Sequence, residues 1–180
     1  PAVICYASRT GTKRNLEGLR RHGWGLLVSR AGVWRTEGFD RIVGDNGAWA
    51  DFQAERRFDE DAYDHFLDWM AATAVPDWLV LPDIVAGGLA SLDLSLRYMN
   101  RCLSVAELVL IAVQDGMEPA DLAPLVGPAV GIFLGGSTAL TPIAESAPHH
   151  AYAGNLGGVT ALNLPPWAEK HLYEPGAGIA

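Results

Sequence analysis

Three polar side chains, Asp45, Asp83 and Gln114, each follow a short apolar run, and each is followed within a few residues by glycine. Ile42-Val43 runs through Gly44 into Asp45-Asn46-Gly47, Trp78-Leu-Val-Leu-Pro-Asp83 leads to Gly87-Gly88, and Leu108-Val-Leu-Ile-Ala-Val-Gln114 leads to Gly116. A fourth run, Val130-Gly-Ile-Phe-Leu134, ends in Gly135-Gly136. Two carboxylates can divide proton transfer and recognition between them, and a glutamine offers a fixed donor and acceptor to the edge of an amide-bearing ring. Glycines beside them let backbone amides approach a flat ligand. Together these residues describe a pocket for a small planar heterocycle, provided the fold brings them to one place. Taken singly, each is equally explained as a cap or turn residue that bonds its own backbone.

What must position them is a parallel sheet. Buried parallel strands read as short, nearly continuous apolar runs, and active sites of α/β barrels lie where their carboxyl ends converge. Strands are predicted at residues 3–7, 24–29, 41–45, 78–81, 108–113 and 131–134. Helices are predicted at 13–22, with Leu16 and Leu19 in register, and from Asp59, with Phe66, Leu67, Met70 and Ala74 on one face. A third spans 91–103, with Leu92, Leu96, Met99 and Leu103 in register, and a short one spans 119–126. Residues 30–40 read as an irregular loop and 46–58 as a mixed polar connection. The alternation implies a TIM-type (β/α) barrel with about six recognisable strands, hence incomplete. Residues 1–136 form the barrel portion of one domain. Residues 137–180, with Pro142, Pro148, Pro165, Pro166 and Pro175, form an irregular tail in which only a strand at 159–164 can be drawn. A six-strand arc leaves two open edges, so a homo-oligomer or a completing subunit is expected.

At 180 residues the chain suits one domain and falls short of the roughly 250 residues of a typical full barrel. Hydrophobic residues make up 49% and charged residues 19%, and no apolar run nears the ~18 residues of a membrane span, so no membrane partner is expected. The start at Pro1 reads as a first strand rather than a basic leader, and Cys5 and Cys102 set up neither a disulfide framework nor a metal site; a reducing cytoplasm is expected. Both cysteines read as inert small hydrophobes. The net charge of −8 argues against non-specific nucleic-acid binding by the whole chain, yet residues 1–57 carry ten Lys/Arg against six Asp/Glu, and the remainder three against fifteen. A polynucleotide backbone would therefore lie near the N-terminal third, at Arg9, Lys13 and Arg14 first. Arg20, Arg21, Arg30 and Arg35 belong to the same excess, with solvated helix faces as the plainer account of Arg20 and Arg21. Trp24, Trp69 and Trp78 read as core anchors, whereas Trp49, directly after the Asp45 turn, is the candidate for stacking on a base.

Several separated motifs carry a resemblance. Asp45-Asn-Gly-Ala-Trp-Ala50 resembles the Asp-Ser-Gly-Gly-Phe-Gln motif of the tRNA-guanine transglycosylase superfamily, Val113-Gln-Asp-Gly116 its Val-Gln-Gly-Gly, and Leu134-Gly-Gly136 its Gly-Gly strand end. Thr12-Lys-Arg-Asn-Leu16, Pro82-Asp-Ile-Val-Ala-Gly-Gly88 and Gly131-Ile-Phe-Leu-Gly-Gly-Ser-Thr138 are more similar to the DNA deazaguanine transglycosylase-like branch. The likeness covers roughly residues 6–138 in the family's order. It implies a TIM barrel without cofactor that exchanges guanine for a 7-deazaguanine in DNA or tRNA. On that reading Asp45 is the general acid/base, Asp83, Gln114 and Trp49 bind the base, and Gly135 and Gly136 offer it backbone contacts. The family's nucleophilic aspartate lies downstream of Gly-Gly, but no aspartate follows Asp121, and Glu145, Glu169 and Glu174 stand in no matching motif. The nucleophile is thus unassigned. The zinc-binding cysteines of the tRNA enzymes have no counterpart, so no metal is expected. The missing zinc site fits the DNA-type branch, and a truncated or frame-altered product would account for the abrupt end of the pattern and the proline-rich tail. The alternatives are a base-binding module without turnover, and an unrelated barrel enzyme holding phosphate at Gly135-Gly136.

Overall fold

The computed structural model describes residues 3–9, 11–134, 152–156 and 159–163, with backbone alone for residue 3 and the last two stretches. Six strands run parallel in chain order: β1 (Val3–Ser8), β2 (Gly25–Ser29), β3 (Ile42–Asp45), β4 (Trp78–Val80), β5 (Val109–Val113) and β6 (Val130–Leu134). They curl into an arc. Crossovers carry α1 (Lys13–Arg21) after β1, α2 (Ala48–Gln53) and α3 (Glu60–Thr73) after β3, α4 (Leu89–Leu103) after β4, and α5 (Pro119–Leu122) after β5. The edges do not stay open as the six-strand reading expected. Strand β7 (Tyr152–Leu156) pairs parallel to β6, and β8 (Val159–Asn163) runs antiparallel between β7 and β1, closing the ring. That removes the physical reason for expecting a completing subunit. The antiparallel β8 also departs from an all-parallel barrel.

The apolar strands are apolar on both faces because each face meets a different core. Leu26, Val28, Ile42, Leu79, Leu81, Val109, Ile111 and Val113 pack outward against helix residues including Tyr63, Phe66, Leu67 and Met70. Tyr6, Leu27, Val43, Trp78, Val80, Leu108, Leu110 and Ala112 fill the barrel interior. Side chains alternate along a strand, so the inward series of β2, β3 and β5 continues to Ser29, Asp45 and Gln114 at the carboxyl ends. The polar mouth is therefore the next layer above an apolar interior.

Helix α3 starts as predicted: the Asp59 side chain accepts from the Ala62 amide at 2.9 Å, satisfying one of the free N–H groups of the first turn. Helix α4 starts at Leu89 rather than at 91; of the face predicted, Leu92 is buried and Met99 and Leu103 pack against the core, but Leu96 is exposed, and Ser91, Leu94, Ser95 and Cys102 are buried as well. The exit of β4 accounts for this. The Ser91 hydroxyl accepts from the Ile84 amide at 3.1 Å, and the Ser95 hydroxyl donates to the Pro82 carbonyl at 2.7 Å. Helix α2 falls where a polar connection was expected. Between β2 and β3 the wall is covered without a helix by Trp34, which packs against Phe66 and Trp69.

At the floor of the barrel the Tyr6 hydroxyl donates to Asp77 at 2.6 Å, and its ring meets Trp78 edge-on at 5.6 Å. Gly25 makes room for that ring: a Cβ there would lie 2.2 Å from Tyr6 Cδ1 and 3.2 Å from Arg41 Cβ. Gly25→Ala should cost about 1–3 kcal/mol through overpacking, read as a lower urea midpoint with unchanged slope. A midpoint within error of the parent would show that the ring moves aside freely.

Candidate active site at the carboxyl mouth

The turn after β3 is held on all sides. Gly47 has a φ of +73°, a conformation that costs glycine little, and a Cβ at this position would lie 3.0 Å from the Ala31 amide nitrogen. That geometry aims the Gly47 amide at the Asp45 carboxylate, which accepts from it at 3.2 Å. Asn46 is buried; its Oδ1 accepts from the Ala48 amide at 2.8 Å, and its Nδ2 donates at 2.6 Å both to the Leu81 carbonyl and to Asp83 Oδ1. Gln114 completes the bridge. Its Nε2 donates to Asp83 Oδ2 at 2.6 Å and its Oε1 accepts from the Ala86 amide at 3.0 Å. A single hydrogen-bonded chain thus crosses the tops of β3, β4 and β5. Asp83 stands one residue past the inward series of β4, yet it enters the mouth because the strand has already ended.

The electrostatics follow from burial. Asp83 is pushed up to about 6, by desolvation first, opposed by the hydrogen bond from Asn46 and reinforced by the charge of Asp45. Asp45, half-buried, is raised by desolvation as well, against the Ser29 hydroxyl, the Gly47 amide and the charge of Arg30. Two buried or half-buried carboxyls with raised proton affinity at one polar mouth can hold a proton near neutral pH, as general acid/base chemistry requires.

Comparison with known proteins finds no match among family models, curated proteins or solved structures. The site therefore stands on its own geometry.

Asp45, Asp83 and Gln114 are brought together, with Asn46, which the sequence reading passed over, as the link between them. Gly135 and Gly136 lie outside the described residues. Trp49 is on the solvent side of α2, 60% exposed, with its ring 5.4 Å from that of Phe52 in a stacked arrangement. Lys13 and Arg14 are exposed at the start of α1, on the mouth side, while Arg9 is engaged with Glu37 at 2.7 Å. Trp78 is fully buried as expected of a core anchor, and Trp24 and Trp69 are partly buried. Cys102 is buried, its thiol pushed up to about 11 by desolvation, which leaves little thiolate at neutral pH; Cys5 is half-buried. Among the described residues no His/Cys/Asp/Glu group could hold a metal ion, and no helix is long and apolar enough to cross a membrane.

The larger omission of the sequence reading is Arg30, counted there only as part of a basic excess. It is buried, 8% exposed, directly after Ser29. Its Nε donates to the Asn46 carbonyl at 2.7 Å, and one terminal nitrogen donates to the Gly47 carbonyl at 3.1 Å and to Asp51. The guanidinium also lies over the Phe58 ring at 5.1 Å. No periodicity marks such a residue; only its position directly after an apolar strand distinguishes Arg30 from the surface arginines.

Proposed function

We propose that the mouth binds guanine or a 7-deazaguanine and that the chain is a transglycosylase-like (β/α) barrel enzyme exchanging one for the other in DNA or tRNA. The observation that carries this reading is Asp83, bridged by hydrogen bonds to Asn46 and Gln114 and raised in proton affinity partly by the charge of Asp45, whose carboxyl stands at the same mouth. Asp83 receives two N–H donors from flanking amides, the pattern that the donor edge of a guanine offers to a carboxylate, so a base entering the mouth competes with groups of its own kind. Asp45, half-buried with raised proton affinity, is the group to move a proton to or from the exchanged base. Trp49 and Phe52 at the rim provide aromatic faces, and Lys13 and Arg14 provide cations for a phosphate backbone.

The test is incorporation of labelled guanine into DNA and into tRNA. The parent protein should incorporate it into one of them, and Asp45→Asn should fall to background while keeping its circular dichroism. A second reading has its own support: no aspartate follows Asp121, so no recognised motif supplies the carboxylate that would displace the base from the sugar. A base-binding module without turnover would give no incorporation while binding guanine in calorimetry. Absence of both incorporation and binding would remove the proposed ligand.

A further inference from the structure

Arg30 reaches the Asp45 turn from several directions. The backbone amide of Arg30 donates to the Asp45 carbonyl at 2.9 Å, and its side chain takes the next two carbonyls of the turn, Asn46 and Gly47. The Asp45 side chain is not its salt-bridge partner. That place belongs to Asp51 on α2, 2% exposed, which also accepts from Arg56 at 3.0 Å and from the Asp59 amide at 3.2 Å. Burial alone would raise Asp51, but these hydrogen bonds and the charge of Arg30 hold it below the ordinary carboxylate value, so it stays ionised and takes up the positive charge.

We propose that Arg30 and Asp51 form a positioning pair: the guanidinium fixes the Asp45 turn through its carbonyls, while Asp51 keeps the positive charge from neutralising Asp45. This deepens the exchange reading of the mouth, since a carboxyl paired with a bare arginine would be locked as the anion and could not deliver a proton. An arginine suits the task because its planar fork engages two carbonyls and a carboxylate at once, which an ammonium on a flexible stem does not. The groups that face Asp45 are the Ser29 hydroxyl and Arg30 from β2 and the residue after it, the Gly47 amide from its own turn, Asp83 beyond β4, and Tyr63 from α3. Arg30 is the cation among these.

The pair predicts opposite effects from its two halves. In Asp51→Asn the charge of Arg30 loses its main counter-ion, so Asp45 should titrate lower, by about half a pH unit or more. In Arg30→Gln the cation is gone and Asp45 should titrate higher by a similar amount. Both are read by carbon-detected NMR of the Asp45 carboxyl in the full chain, with amide spectra reporting the fold. Should Arg30→Gln fail to fold, Asp51→Asn decides alone. An Asp45 titration unchanged in folded Asp51→Asn would reduce the pair to a brace and overturn the proposal. The readout needs no ligand: a parent protein that neither binds nor exchanges guanine would sink the function while leaving this test intact.

Discussion

The protein should become less stable as pH rises from about 4 to about 6, the reverse of the usual behaviour of a protein rich in paired carboxylates. Asp83 is raised from its ordinary 3.8 to about 6, so between those values the native state binds a proton that the unfolded state has released. Stability from this group is therefore complete below the unfolded value and is lost as pH passes through the folded one. With Asp83 only 6% exposed, the change corresponds to about 3 kcal/mol. Asp45 and Asp77 are raised mainly by desolvation and act in the same direction. Asp51 acts oppositely: its folded value is depressed, so its contribution is present above the ordinary carboxylate value and fades as pH falls through the folded one. The two trends place the stability maximum near pH 4, by the same linkage. Urea unfolding at half-unit steps from about pH 4 to 7 checks this, with Asp83→Asn expected to flatten the decline. A profile that is level or climbs over that range would mean that the mouth carboxyls are far better solvated than their surroundings imply.

Arg30→Met should cost about 3–5 kcal/mol, because it leaves Asp51 as a buried charge without its main partner and strips the Asn46 and Gly47 carbonyls of their donors. The same carboxylate supplies its own control. Arg56 also donates to Asp51, but its side chain is 65% exposed, and Arg56→Ala should cost only about 0–1 kcal/mol. Removing both buried charges in Arg30→Met/Asp51→Leu should recover part of the loss, since the cost of the single change is chiefly that of the stranded anion. Denaturant midpoints of the three variants decide the matter. Equal effects at Arg30 and Arg56 would show that depth in the fold does not set the strength of these contacts.

Much of the arc was legible because its strands are apolar on both faces and end abruptly. Val109 to Val113 could hardly be other than a doubly covered strand, and the polar residue that follows it, Gln114, falls on the inward side by alternation alone. Asp59 and the spacing of Phe66, Leu67 and Met70 made α3 equally plain. Helix α4 was located and Leu92, Met99 and Leu103 placed on its core side, but Leu96 was taken for core and the buried Ser91 and Ser95 were not. Two serines that face inward to serve the backbone after β4 have no apolar periodicity to show it. The convergence of Asp45, Asp83 and Gln114 followed from fold class, whereas Asn46 and Arg30 did not. Their importance lies in which carbonyls and carboxylates they reach across the strands, and that depends on contacts distant in the chain.

One further consequence concerns the exposed stretch between Gln53 and Asp59. Its surface position, polar composition and three successive charges, Glu55, Arg56 and Arg57, would recommend it for a tag, an added loop or new chain termini. Yet the Asp51 carbonyl accepts from the Arg56 amide at 2.9 Å, and the Asp51 carboxylate accepts from the Asp59 amide, so the middle and the far end of the stretch are tied to the residue that balances Arg30. The segment is a strap of set length. Lengthening it would slacken the grip on the mouth from a place that looks safely remote, and an engineer seeking a permissive splice point should look elsewhere on the chain.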